Sequence, residues 1–125
     1  MQRVEFDLTE RILSSSLDVH RELGPGLLES TYRACLLHQL RLDGLKAESE
    51  VPIRLDYKGL AIDCVHRADL VVEARVVVEL KAVEHLLPVH EAQLLTYLKL
   101  SGLRVGLLLN FNVRRLQDGL RRLIR

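Results

Sequence analysis

Arg67-Ala68-Asp69-Leu70-Val71-Val72-Glu73-Ala74-Arg75-Val76-Val77-Val78-Glu79-Leu80-Lys81 reads as the end of one strand, a turn and a second strand. Residues 60–72 form a long strand or a bent pair, Glu73-Ala74-Arg75 reverses the chain, and residues 75–81 form the next strand. Three consecutive valines are too apolar for a strand with one face in water, so both faces are expected to be covered. A turn this short joins antiparallel neighbours. Upstream, Val51, Ile53, Leu55 and Tyr57 alternate with Pro52, Arg54 and Asp56, which gives another strand. The proline near its start puts that strand at a sheet edge, and Lys58-Gly59 turns the chain into its neighbour.

Farther out the period becomes helical. Ile12, Val19 and Leu23 mark a helix over about 8–23, closed by Gly24-Pro25-Gly26. Tyr32, Leu36 and Leu40 mark a second over about 28–42, ended by Asp43-Gly44. Downstream, a helix over about 89–100 ends at Ser101-Gly102, and a buried strand over 104–110 carries Leu107-Leu108-Leu109. A short basic helix, about 114–124, is expected to finish the chain. The first three strands form an antiparallel meander, and the helix before the fourth permits a parallel return. The expected architecture is α/β, one domain over residues 1–125. A mixed central sheet is flanked by helices in the order αβββαβ, with an extra helix at each end.

Composition narrows the function. With 48% apolar and 28% charged residues the chain is globular, not disordered. Five Phe and Tyr and no Trp leave little for an aromatic single-strand platform. Eighteen basic against 17 acidic residues give a net charge of +1, which argues against tight electrostatic clamping of nucleic acid. The charge is uneven, since residues 114–125 hold five Arg against one Asp. That basic end suggests a phosphate contact or a solvated helix face. Cys35 and Cys64 lie in apolar patterns without a CxxC partner, which points to a reducing compartment and away from structural zinc. No apolar run is long enough to cross a bilayer, and the charged start MQRVEFDLTERI does not read as a signal peptide. A cytoplasmic protein without membrane partners is expected.

The positions that break these patterns are polar. Asp69 lies within a strand, and Glu79 and Lys81 project from one face of the next, directly after the three valines. The turn at 73–75 can bring Asp69 close to Glu79. Carboxylates at such positions cost several kcal/mol unless they are paired or bind a metal. A Lys81–Glu79 or Lys81–Asp69 salt bridge is the plain reading, but one ammonium cannot neutralise two or three acids. Magnesium, which takes oxygen ligands and keeps several waters, can. Glu29 opens the second helix and supplies a third acid, although a carboxylate is favourable at any helix N-terminus. Gln93 and Tyr97 lie four apart on one helix face, which a half-buried polar pair also explains.

The ordered set Glu29, Asp69, Glu79-Leu80-Lys81 and Gln93-x-x-x-Tyr97 resembles the PD-(D/E)XK nuclease superfamily, in particular its RecB-like branch. Gly26-Leu27-Leu28-Glu29-Ser30-Thr31-Tyr32 is similar to the GxxExxY signature of a family of small, mostly bacterial proteins. The likeness extends to Val19–Gly26, Asp69-Leu70-Val71-Val72, Val78–Ala82, Ala92–Leu98 and Gly106–Phe111, nearly the whole chain. One departure is Ala68, where the superfamily's eponymous proline would precede Asp69.

The resemblance implies a restriction-endonuclease-like core and a magnesium-dependent (or manganese-dependent) nuclease, or nuclease-like phosphodiester hydrolase, acting on DNA. Asp69 and Glu79 are then the main metal ligands, with the Leu80 carbonyl as a third and Glu29 completing the site directly or through water. Lys81 orients or activates the attacking water and holds the scissile phosphate. Gln93 and Tyr97 support the site or touch the substrate backbone. The competing expectation is a catalytically silent nuclease-fold module for binding or assembly. An active form of this length is expected to need a homo-oligomer or a protein partner. No histidine is assigned to metal. His85 and His90 flank the helix of Gln93, with His90 able to point toward the site or simply stand exposed. His20 is placed to hydrogen-bond the Gly-Pro-Gly loop, and His66 is left out because its strand parity is opposite to that of Asp69.

Overall fold

The computed structural model describes residues 2–125. Two helices come first, α1 (Arg3–Leu23) and α2 (Glu29–Leu42). Strands β1 (Ala47–Tyr57), β2 (Leu60–Val72) and β3 (Val76–Lys81) follow, then α3 (Pro88–Ser101) and β4 (Val105–Asn110). A short 3₁₀ turn, Leu116–Gly119, leads into β5 (Leu120–Ile124). The sheet has the order β1-β2-β3-β4-β5, with β3 and β4 parallel and every other pair antiparallel. The meander, the parallel return and the edge position of the Pro52 strand therefore match the sequence reading.

The valine run explains how the layers divide. Val76, Val78 and Leu80 pack with Ile12, Tyr32, Leu36 and Leu40 under α1 and α2. Val77 packs with Leu94, Leu98 and Leu108 under α3. Each such side chain, fully buried, contributes about 1.5–3 kcal/mol. Gly106 sets how closely α3 approaches: a Cβ there would stand 2.9 Å from Leu94 Cδ1. None of the described helices is long and apolar enough to cross a membrane.

The chain's end departs from expectation. Instead of a helix over 114–124, Leu120–Ile124 is a strand paired with β4. Leu116, Leu120 and Leu123 keep helical spacing, but Leu120 packs on the α1–α2 side and Leu123 on the α3 side. The neighbouring arginines alternate likewise. Arg122 reaches Glu10 of α1 at 3.1 Å and Arg121 approaches Glu91 of α3 at 3.9 Å. Part of the basic end is thus tied to the helices on both sides of the sheet. Cys64 also departs from its reading, being exposed, while Cys35 is half-buried.

Alternation fails inside β2 at the place that matters most. Leu70 and Val72 face α1 and α2, and Val71 faces α3. Ala68 should then face α1 and α2, yet it packs on the α3 side. The break lies between Ala68 and Leu70, around Asp69, which stands opposite Glu50 of β1, whose φ is +52°. Val51 still pairs with Ala68 and Ser49 with Leu70. The register is unshifted there, so the break is a local twist without an inserted residue; the register shift of this strand pair lies farther on, between Ile53 and Leu55.

Candidate active site

β2 and β3 pair from Val72/Val76 to Leu70/Val78 and then stop. At the next position their side chains replace the ladder. The Asp69 N–H donates to Glu79 Oε1 at 3.1 Å, and the Leu80 N–H donates to Asp69 Oδ2 at 2.8 Å. Two almost fully buried carboxylates, Asp69 and Glu79, therefore plug the fork between the strands. Each satisfies one buried amide, which a buried backbone donor requires.

Glu29 arrives from α2 through a clamped loop. The Tyr32 hydroxyl donates to the Gly24 carbonyl at 2.5 Å and accepts from the Leu27 N–H at 3.1 Å. Gly26, at φ +102°, donates its N–H to Asn112 Oδ1 at 3.1 Å. His20 does not bond the Gly-Pro-Gly loop through its ring: Nε2 meets the Val113 carbonyl at 2.8 Å. It thereby anchors the same 111–113 segment that holds Gly26. Asn110 joins that segment to the end of β3, accepting from Val83 N–H and donating to Val83 O.

The charges share one space. Burial first, and then Asp69, raise the pKa of Glu29, against the opposing pull of Lys81 and Arg33. Burial and Asp69 push Glu79 up to about 8. Burial, Glu79 and Asp69 raise Tyr97. Lys81 makes no ion pair among the described residues, so its influence on both glutamates is exerted across a gap. Gln93 shares the α3 face of Tyr97 but is exposed, and no hydrogen bond ties it to the acids among the described residues. The Leu80 side chain is in the core, and its N–H is held by Asp69.

Two residues join the cluster that the sequence reading did not assign. Arg33 contacts Asp69 Oδ1 at 3.0 Å and Glu50 Oε1 at 3.3 Å. It lies one helical turn after Glu29, so the same face that presents Glu29 presents Arg33. His66 stands 3.5 Å from Glu79 Oε2 and stacks on Tyr97 with ring centroids 4.0 Å apart and planes 5° apart. Its exclusion by parity fails because the β2 distortion puts residues 66 and 68 on the side of α3. Burial lowers its pKa. His90, by contrast, accepts the Leu87 N–H through Nδ1 at 3.0 Å and closes the start of α3.

The sequence model of the PD-(D/E)XK nuclease superfamily matches residues 6–123. The chain belongs to that superfamily. The five-stranded mixed sheet flanked by helices is consistent with a PD-(D/E)XK nuclease fold. No curated protein and no solved structure matches the chain.

PD-(D/E)XK nucleases generally use divalent metals. The donor set here fits such an ion: hard carboxylate oxygens from Asp69 and Glu79, mutually repelling, with Glu29 and Lys81 in electrostatic reach. No group of three or more His, Cys, Asp or Glu side chains is already gathered in metal-holding geometry among the described residues. Arg33 is the cation that sits on Asp69 instead.

Proposed function

We propose that this PD-(D/E)XK protein is a divalent-metal-dependent nuclease that hydrolyses phosphodiester bonds in DNA. It is read as a GxxExxY member with the RecB-like motif set, folded as one domain over residues 1–125. The observation that carries this reading is the facing pair of buried carboxylates Asp69 and Glu79 at the β2–β3 fork, where burial first and then the Asp69 charge push the Glu79 pKa up to about 8. Two carboxylates buried side by side, one of them raised this far by burial and by its neighbour, call for a cation. Asp69 and Glu79, completed by Glu29 and the Leu80 carbonyl, would hold Mg²⁺ or Mn²⁺. When bound, that ion polarises a phosphoryl oxygen and lowers the pKa of water. Lys81, unpaired among the described residues, orients the attacking water and binds the scissile phosphate. Gln93, exposed one turn before Tyr97, contacts the substrate backbone, and Tyr97 supports the acids from α3.

The net charge of +1 leaves little for tight solitary DNA binding, which favours a homo-oligomer or a protein partner. Two free cysteines fit a cytoplasmic location.

Incubation with linear, circular and single-stranded DNA in Mg²⁺ or Mn²⁺ tests the reading, beside Glu79→Ala and Lys81→Ala. Cleavage by the wild type that both variants lose supports it. One specific observation favours a second reading, a catalytically silent binding or assembly module: Arg33 already neutralises Asp69. An inert wild type with no calorimetric signal for either ion selects that module.

A further inference from the structure

Among the histidine rings, two are spoken for by the backbone. His20 Nε2 meets Val113 O, and His90 Nδ1 accepts from Leu87 N–H. His66 differs. Its Nε2 is buried and has no hydrogen-bond partner among the described residues, although the other edge of the ring leaves the side chain one-third exposed. A buried polar atom without a partner is unusual enough to require a cause.

The geometry around that atom supplies one. Its near neighbour is Glu79 Oε2 at 3.5 Å, too long for a hydrogen bond. Two donor atoms each about 2.1 Å from one ion stand roughly 3.0–3.4 Å apart, close to the separation observed. The ring cannot easily turn away. Tyr97 stacks flat against it at 4.0 Å, and Tyr97 packs on the α3-side core. Ile53, the β1 partner of His66, is buried in that same core. The break in alternation around Asp69 thus delivers an imidazole nitrogen to the fork where the two carboxylates meet.

We propose that His66 is a nitrogen ligand for the divalent ion of this site and makes it select first-row ions, the borderline Co²⁺ above all and Mn²⁺ to a lesser degree, over Mg²⁺. The inference rests on the metal-dependent reading given above and deepens it. Magnesium favours oxygen donors and binds imidazole poorly, whereas imidazole suits later first-row metals. Replacing one oxygen by this nitrogen therefore shifts the preference without changing the carboxylates.

The test is calorimetric titration of the intact protein with MgCl₂, MnCl₂ and CoCl₂, for wild type and His66→Phe. Phenylalanine keeps an aromatic ring against Tyr97 and removes the nitrogen. Wild type is expected to bind Co²⁺ at least tenfold more tightly than Mg²⁺, with Mn²⁺ between them. His66→Phe is expected to lose that margin while its Mg²⁺ affinity changes less than threefold. A readout independent of any variant is pulsed electron spin resonance of the Mn²⁺ complex, which should report coupling to one imidazole ¹⁴N. Equal Mn²⁺ affinity in both proteins, or a wild-type spectrum without nitrogen coupling, overturns the role of His66. If Mn²⁺ binding still disappears in Asp69→Asn and Glu79→Gln, only this inference has failed. If wild type binds no divalent ion, the metal-dependent reading fails with it.

Discussion

Glu79→Gln is the sharpest probe of the strand fork, because it removes a charge and almost nothing else. Glutamine keeps an oxygen to accept the Asp69 N–H, and its amide can donate toward His66 Nε2, which now lacks a partner. Burial and the Asp69 charge raise Glu79 from an ordinary 4.5 to about 8. Between those values the folded chain keeps a proton that the unfolded chain has lost. Folding stability therefore falls as pH rises through that window and levels off above it. At about 1.4 kcal/mol per pKa unit the ceiling is about 5 kcal/mol, and after local relaxation and water penetration a realistic loss is about 2–4 kcal/mol. In EDTA, the melting temperature of Glu79→Gln should equal that of wild type near pH 4.5. It should exceed it by roughly 10 °C at pH 9, at about 3–5 °C per kcal/mol for a chain of this size. Saturating Mn²⁺ should narrow or reverse the difference, since an ion at 100 times its Kd adds about 2.7 kcal/mol to the protein that binds it. Thermal melts monitored by circular dichroism across this pH range read it directly. A difference that does not change with pH, or a variant less stable than wild type at pH 9 in EDTA, refutes the account of the fork.

Asp69 should separate charge from backbone support. Asp69→Asn keeps an acceptor for the Leu80 N–H and should abolish divalent binding in calorimetry with under ~1 kcal/mol lost, whereas Asp69→Ala leaves that buried amide unpaired and should cost about 2–3 kcal/mol in urea denaturation. Arg33→Gln removes the cation that occupies Asp69 Oδ1. Calorimetry should then show divalent affinity rising about 5–10-fold, equivalent to about one pKa unit of competing charge. Tyr32→Phe deletes a hydroxyl that joins Gly24 O and Leu27 N–H. It should cost about 1–3 kcal/mol in denaturation, and its divalent affinity should fall with the loosened placement of Glu29.

Strands β1 to β4 and all three helices were legible because their periods are clean and their turns carry glycine or short polar residues. Lys58-Gly59 is an example, with both residues at positive φ, as a two-residue hairpin turn demands. Asp69 and Glu79 were legible as polar residues in apolar strands, and their meeting follows from the short turn between them. β5 was not, because Leu116, Leu120 and Leu123 keep helical spacing, while in the strand Leu120 and Leu123 turn to opposite faces of the sheet. Only pairing with β4, which sends Arg121 and Arg122 to opposite faces, decides between the two.

Arg33 and His66 were hidden for different reasons. Arg33 could have been found, since any argument that turns Glu29 inward also turns the residue four positions later. His66 could not be found by counting in twos, because the rule of alternation is suspended where Glu50 distorts the edge strand. The Ala68 side chain ends on the side of α3 while the Asp69 carboxylate meets Arg33 of α2 and the Leu80 amide, and that breach of period gives the fork its composition. A regular β2 would have pointed His66 away from α3 and left Tyr97 without its stacking partner. Pattern reading is weakest at such a place because the sheet gives up regularity there, exchanging one ladder position for a pair of carboxylates that bind amides from across the gap.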